Sequence, residues 1–134
     1  MARTIFVNLP VGDVPRSRRF YTALGFGINE QFSGDASLCV IFDENIFAML
    51  LSHEHFQSFT PRAIADATQV TEVLLALSCE SREEADVMIE NALAAGGSEP
   101  RPTQDLGWMY SRAFADPDGH IWEVGWMGEM PPAA

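Results

Sequence analysis

The stretch Ile5-Phe6-Val7-Asn8-Leu9-Pro10-Val11-Gly12-Asp13-Val14-Pro15, continued by Phe20-Tyr21 and Leu24-Gly25, joins a short apolar strand directly to an amphipathic helix. The Asp13 carboxylate can accept from the free N–H groups of a first helical turn, and Pro15 is tolerated there because it removes a donor that has no intrahelical partner. Phe20, Tyr21 and Leu24 fall seven, eight and eleven residues past that cap, one stripe of a 3.6-residue period. Gly25 then offers the left-handed stop. The same grammar recurs. Val73 to Cys79 reads as a strand, Ser81 with Glu84 makes a capping box, and Met88, Ile89 and Ala92 again fall seven, eight and eleven residues past the cap. Gly96-Gly97 closes a helix one turn longer than the first. The expected helices are Val14 to Leu24 and Arg82 to Ala95.

Each helix is followed by strand and turn signals. In the first half these are Ala36 to Phe42, the turn Asp43-Glu44-Asn45, and Ile46 to Leu51; in the second they are Met109 to Ala115, the turn Asp116-Pro117-Asp118-Gly119, and Ile121 to Met127. Each half is read as a βαβββ unit, and the expected fold class is α+β with eight strands. A unit of about 55 residues cannot easily bury both a helix stripe and a sheet face, so the two are expected to pack as one domain over residues 1–134. On this reading the first repeat covers about 1–52, a linker about 53–69, the second repeat about 70–127, and a frayed tail 128–134.

Composition bounds the partners. The 134 residues carry 8 Lys plus Arg against 19 Asp plus Glu, a net charge of −11, with 47% apolar residues. Such a field repels polyanions, so neither nucleic acid nor an acidic membrane surface is expected as a partner. No apolar run approaches the ~20 residues that span a bilayer, and Asn8, Pro10 and Asp13 interrupt any signal-peptide core. A cytoplasmic protein is expected. Cys39 and Cys79 each lie in an apolar strand-like run and read as reduced core thiols.

Asn8-Leu9-Pro10-Val11-Gly12-Asp13, Arg18-Arg19-Phe20-Tyr21 and Leu24-Gly25-Phe26, together with Ala115-Asp116-Pro117-Asp118-Gly119-His120-Ile121-Trp122-Glu123, resemble the vicinal oxygen chelate superfamily. That group includes glyoxalase I, bleomycin resistance proteins and extradiol dioxygenases. The resemblance runs over nearly the whole chain and is strongest to a bacterial glyoxalase-like, or predicted lactoylglutathione lyase, subgroup. It implies paired βαβββ repeats forming one curved, mostly antiparallel sheet cavity with the helices outside. It also implies four metal-ligand positions, which fall on Phe6, on Leu74, on Met49 or Leu50, and on Glu123. Three apolar side chains supply no hard donor, so no metal is expected, with a divalent metal as the alternative if other groups rebuild a site.

Other donors are few. His53 and His55 follow the end of an apolar run and read as solvated loop residues. His120 and Glu123, three apart, point to opposite faces of an extended strand, and His120 reads as a residue bonded to the Asp116 to Gly119 turn. Glu123 is the candidate catalytic residue, a residual ligand or general base, unless Arg112, Tyr110 or Asn8 merely satisfies its charge. Phe6, Asn8, Met49, Leu74, Ala76, Ser78, Tyr110, Arg112 and Glu123 form the expected ligand cavity, apolar with a few polar anchors. Trp108, Tyr110, Trp122 and Trp126 could stack on a ligand, or fill a core or a dimer interface. The connection from Pro100 to Gly107 reads as an ordinary helix-to-strand link or as a lid.

The function this supports is binding of a small, partly apolar molecule by a homodimer, in the way bleomycin resistance proteins sequester a ligand. The alternative is a metal-dependent lyase or dioxygenase of the same superfamily, lactoylglutathione-lyase-like or extradiol-dioxygenase-like, in which a metal polarises an oxygen while a carboxylate moves the proton.

Overall fold

The computed structural model describes residues 2–129. Strand β1 (Ile5–Val11) leads into helix α1 (Val14–Ala23), followed by β2 (Gly27–Ile28), β3 (Ser37–Asp43) and β4 (Ile46–Ser52). The second repeat runs β5 (Leu75–Ser78), α3 (Arg82–Ala94), β6 (Gln104–Asp105), β7 (Met109–Ala115) and β8 (Ile121–Met127). The caps anchor both helices as the sequence predicts. Asp13 accepts from the Arg16 amide at 3.0 Å, and Gly25 has φ +95°. Ser81 Oγ accepts from the Glu84 amide at 3.1 Å, while the Glu84 carboxylate reaches back to the Glu80 amide at 2.7 Å, one residue earlier than a capping box requires.

The strands divide into two four-stranded mixed sheets, ordered β1-β4-β3-β2 and β5-β8-β7-β6, and no barrel closes among the described residues. In each, the first and last strands of the repeat pair in parallel and the remaining pairs are antiparallel. The paired-repeat α+β plan is therefore present, with its eight strands shared between two mostly antiparallel sheets. Strand β5 is shorter than the run Val73 to Cys79: its ladder with β8 runs only from Leu75, opposite Trp122, to Ser78, opposite Gly125.

One face of each sheet packs on the helices. Leu9, Val11, Leu38, Val40 and Leu50 from the first sheet meet Phe114, Trp122 and Val124 from the second, with Phe20, Tyr21, Ile89 and Ala92 of the helices in the same cluster. Phe20 lies 5.8 Å from the Phe114 ring and Phe42 4.6 Å from the Trp122 ring, so the two repeats share a single apolar core. Apolar burial of this kind, at roughly 25 cal/mol per Å², is the main term holding them together. Cys39 and Cys79 are buried free thiols.

The connection between repeats is not a bare loop. It opens with a short helix, α2 (His53–Gln57), whose first turn is capped by Ser52 Oγ accepting from the His55 amide. His53 and His55 are exposed on it. The link from Pro100 to Gly107 is tied down: β6 pairs with β7, and Arg82 makes two bonds to Asp105 at 2.7 and 3.1 Å. Of the expected tail, Gly128 and Glu129 continue from β8, and residues 130–134 lie outside the described residues.

Candidate functional site

The seam between the repeats carries a cavity. Asn8 and Pro10 of β1 face Leu75 of β5 and His120-Ile121 at the start of β8, and the connection from Phe56 to Val73 roofs the gap, enclosing about 380 Å³. The walls are mostly apolar, from Pro10, Phe56, Ile64, Val73, Leu75 and Ile121, with Asn8, Thr60, Thr71 and His120 as polar groups and Arg62 and Glu72 at exposed positions. A mostly apolar pocket of this volume with a few convergent polar groups suits a small molecule.

Local sequence explains why the seam stays open on one side and locked on the other. The turn Asp116-Pro117-Asp118-Gly119 folds around the Asp116 carboxylate, whose Oδ1 accepts from the Asp118 and His120 amides at 3.0 and 2.9 Å. Its Oδ2 accepts from the Tyr21 hydroxyl at 2.7 Å, and the Tyr21 oxygen accepts in turn from Trp122 Nε1 at 3.0 Å. Burial pushes the Asp116 carboxyl above its ordinary range, partly offset by the neighbouring His120 and by these bonds. Asp118 clamps the other repeat, accepting from the Gly12 amide at 2.8 Å and from Arg16 at 2.9 Å. The His120 ring completes the clasp, its Nε2 2.6 Å from the Pro10 carbonyl of β1.

The residues singled out from the sequence scatter around this seam. Asn8 lines the cavity. Phe6 and Met49 share its face of the first sheet, since Phe6 and Phe47, and Asn8 and Met49, are register partners; Phe6 stacks on Phe47 at 5.0 Å and is 47% exposed. Leu50 points the other way and is fully buried in the core, which leaves Met49 as the open-face residue of the pair. Ala76 and Ser78 are exposed on β5, Ala76 beside Glu123, and Leu74 precedes the strand at 53% exposure.

Tyr110 and Arg112 require correction. They alternate with Ser111 and Ala113, the register partners of Gly125 and Glu123, and so lie on the helix-facing side of β7. There the Tyr110 hydroxyl donates to Asp86 at 2.6 Å, and Arg112 bridges Asp86 and Glu99 at 2.8 and 2.9 Å. Neither partners Glu123. Glu123 instead accepts from Arg101 at 3.1 Å, and the same guanidinium donates to Ser111 Oγ at 2.7 Å. No local pattern marks Arg101 for this role, because it reaches the strand from an irregular connection. The aromatic residues are likewise absorbed by packing: Trp122 is buried in the core, and Arg82 sits over the rings of Tyr110 and Trp126 at 4.9 and 5.2 Å.

Residues 3–40, which hold β1 and α1, match the family described as bleomycin resistance protein-like N-terminal. The whole chain superposes on solved structures of the same two-repeat plan. A glyoxylase/bleomycin resistance protein/dioxygenase domain from Frankia sp. EAN1pec is 25% identical, with 98% of this chain and 96% of that one covered and a TM-score of 0.71. The chain has the fold of glyoxalase and bleomycin resistance proteins and is similar to them. The same fold is seen in a glyoxalase-related enzyme from Fulvimarina pelagi, at 23% identity, full coverage of both chains and a TM-score of 0.79. It is seen again in the bleomycin resistance determinant encoded on the transposon Tn5, at 18% identity, 96% and 100% coverage and a TM-score of 0.65. Among curated proteins none matches the sequence.

The metal positions that the superfamily implies do not suit a divalent ion in this chain. Phe6, Met49 and Leu74 offer no oxygen or nitrogen donor, and Glu123, the one carboxylate, already carries a guanidinium. Among the described residues no three His, Cys, Asp or Glu side chains converge. A hard cation needs several such donors, so no step is assigned to one. Also among the described residues, no helix is long and apolar enough to cross a membrane.

Proposed function

We propose that this protein binds a small, partly apolar molecule in the seam cavity, without a resident metal. The observation that carries this reading is the cavity of about 380 Å³, apolar with a few polar groups, at the junction of the two repeats. The donor-poor ligand positions support the metal-free part. The buried free thiols Cys39 and Cys79 suit a reducing, cytoplasmic setting.

The test is a thermal-shift screen of small uncharged and cationic aromatics against the protein and an Ala65→Trp variant, Ala65 being an exposed residue of the cavity wall. A compound present at 100 times its Kd stabilises the fold by about 2.7 kcal/mol and so raises Tm by several degrees. That rise disappears in Ala65→Trp, whose ligand-free Tm stays close to that of the parent protein. A panel that stabilises neither protein overturns the reading.

Zinc, nickel or manganese at millimolar concentration leaves Tm unchanged. Glu123→Gln alters stability by less than about 1 kcal/mol, the range of a partly solvated ion pair. A full equivalent of co-purifying metal that is lost with this substitution would return the lyase or dioxygenase reading.

The protein is proposed to act as a homodimer. Ile5, Phe6, Val73 and Leu74 place large apolar side chains in solvent at 56, 47, 49 and 53% exposure. Light scattering is expected to report twice the 14.8 kDa chain mass. A single-chain mass at micromolar concentration refutes it.

A further inference from the structure

We propose that the seam cavity selects a hydrogen-bond donor: an uncharged or cationic molecule with an apolar body and an O–H or N–H group aimed at Asn8 and His120. This rests on the cavity reading above and adds the class of ligand to it.

The argument begins with two backbone carbonyls. Asn8 Nδ2 lies 3.2 Å from the Phe6 carbonyl oxygen, and His120 Nε2 lies 2.6 Å from that of Pro10. A carbonyl oxygen only accepts, so the side-chain atom facing each must be a donor. This sets the Asn8 amide with its nitrogen toward β1, leaving Oδ1 as a free acceptor. When the His120 ring is neutral, the same contact places its proton on Nε2 and leaves Nδ1 as a second acceptor. Among the described residues neither Asn8 Oδ1 nor His120 Nδ1 has an intramolecular hydrogen-bond partner. The polar side chains on the β1 and β8 side of the cavity therefore both ask for a donor.

Charge points the same way. The chain carries −11 overall, and at the cavity the exposed Arg62 is offset by the exposed Glu72, so no net positive charge is built there to hold an anion. Thr60 and Thr71 bear hydroxyls that donate or accept as needed and do not alter the preference. A ligand that brings only acceptors would leave Asn8 and His120 partly desolvated and unpaired, which costs more than the pairing itself gains.

Three matched probes test this on the full chain by titration with NMR detection: 4-propylphenol, its methyl ether 4-propylanisole, and 4-propylbenzoate. The phenol is expected to bind about tenfold more tightly than the ether, the worth of one well-made bond in a water-poor site, with the largest shifts on the methyls of Ile64, Leu75 and Ile121. Asn8→Leu, at an exposed position, narrows that ratio, and adding His120→Phe removes it. If the double variant does not fold, the single variant alone decides. Equal affinity for phenol and ether, tighter binding of the benzoate, binding of no probe, or shifts centred on Phe6 and Met49 would each overturn the proposal. Other members of the uncharged and cationic panel that still bind and shift the same three methyls would leave the cavity reading standing without the donor preference.

Discussion

Replacing Asp116 with alanine is expected to lower the unfolding free energy by about 4 kcal/mol, the largest loss from any single polar side chain here. The carboxylate is 4% exposed and accepts three hydrogen bonds, two from amides of its own turn and one from Tyr21 on the other repeat. Alanine orphans both amides and the phenol in one step, and each buried unpaired donor costs about 1–3 kcal/mol. Tyr21→Phe removes only the middle of the chain from Trp122 to Asp116 and should cost about 2 kcal/mol. Urea denaturation of the two variants checks the order. The pH dependence gives a second check. Burial raises the folded carboxyl above its unfolded value, so the favourable contribution is full below the ordinary carboxylate range and is lost as pH rises through the raised folded value. An Asp116→Asn variant lacks that term, so its stability deficit is greatest in acid and shrinks toward neutral pH. A deficit that grows with pH would contradict the assigned direction.

Gly119→Ala is expected to cost roughly 3 kcal/mol and to disturb the cavity roof as well. Gly119 has φ +89°, a conformation that disfavours any side chain, and a Cβ built there lies 2.7 Å from the backbone of Ala67 and Thr68. Those atoms belong to the connection over the seam. They have no flexible side-chain end that could swing away, so the connection itself must lift. The expected result is a lower Tm together with faster amide exchange across residues 63–73, while exchange in α3, remote from the contact, stays near that of the parent protein. A variant with unchanged stability and unchanged exchange would mean that the connection is not seated on Gly119.

Much of this architecture was legible locally. A cap, an apolar stripe at matched offsets and a glycine stop recur in α1 and α3 because capping and periodicity are short-range physics, acting within a few residues of chain. The failures have one cause. Tyr110 and Arg112 were grouped with Glu123 by chemistry, but which face of β7 they occupy depends on its register with β8, and a shift of one residue inverts every side chain. The choice between Met49 and Leu50 turned on the same parity across the β1 and β4 pair.

The amino-acid sequence alone determined the two βαβββ repeats, the helix limits, the acidic character and the poverty of metal donors, since each depends on residue type and spacing near a single position. Only the tertiary structure decided that the strands split into two sheets, that Arg101 rather than Arg112 meets Glu123, and that the connection after β4 roofs a cavity against Asn8 and His120. Those outcomes depend on contacts such as Asp118 to Gly12, 106 positions apart, or His120 to Pro10, 110 apart. No local pattern encodes them, because the partner is chosen by how two already formed repeats bury their remaining apolar faces together.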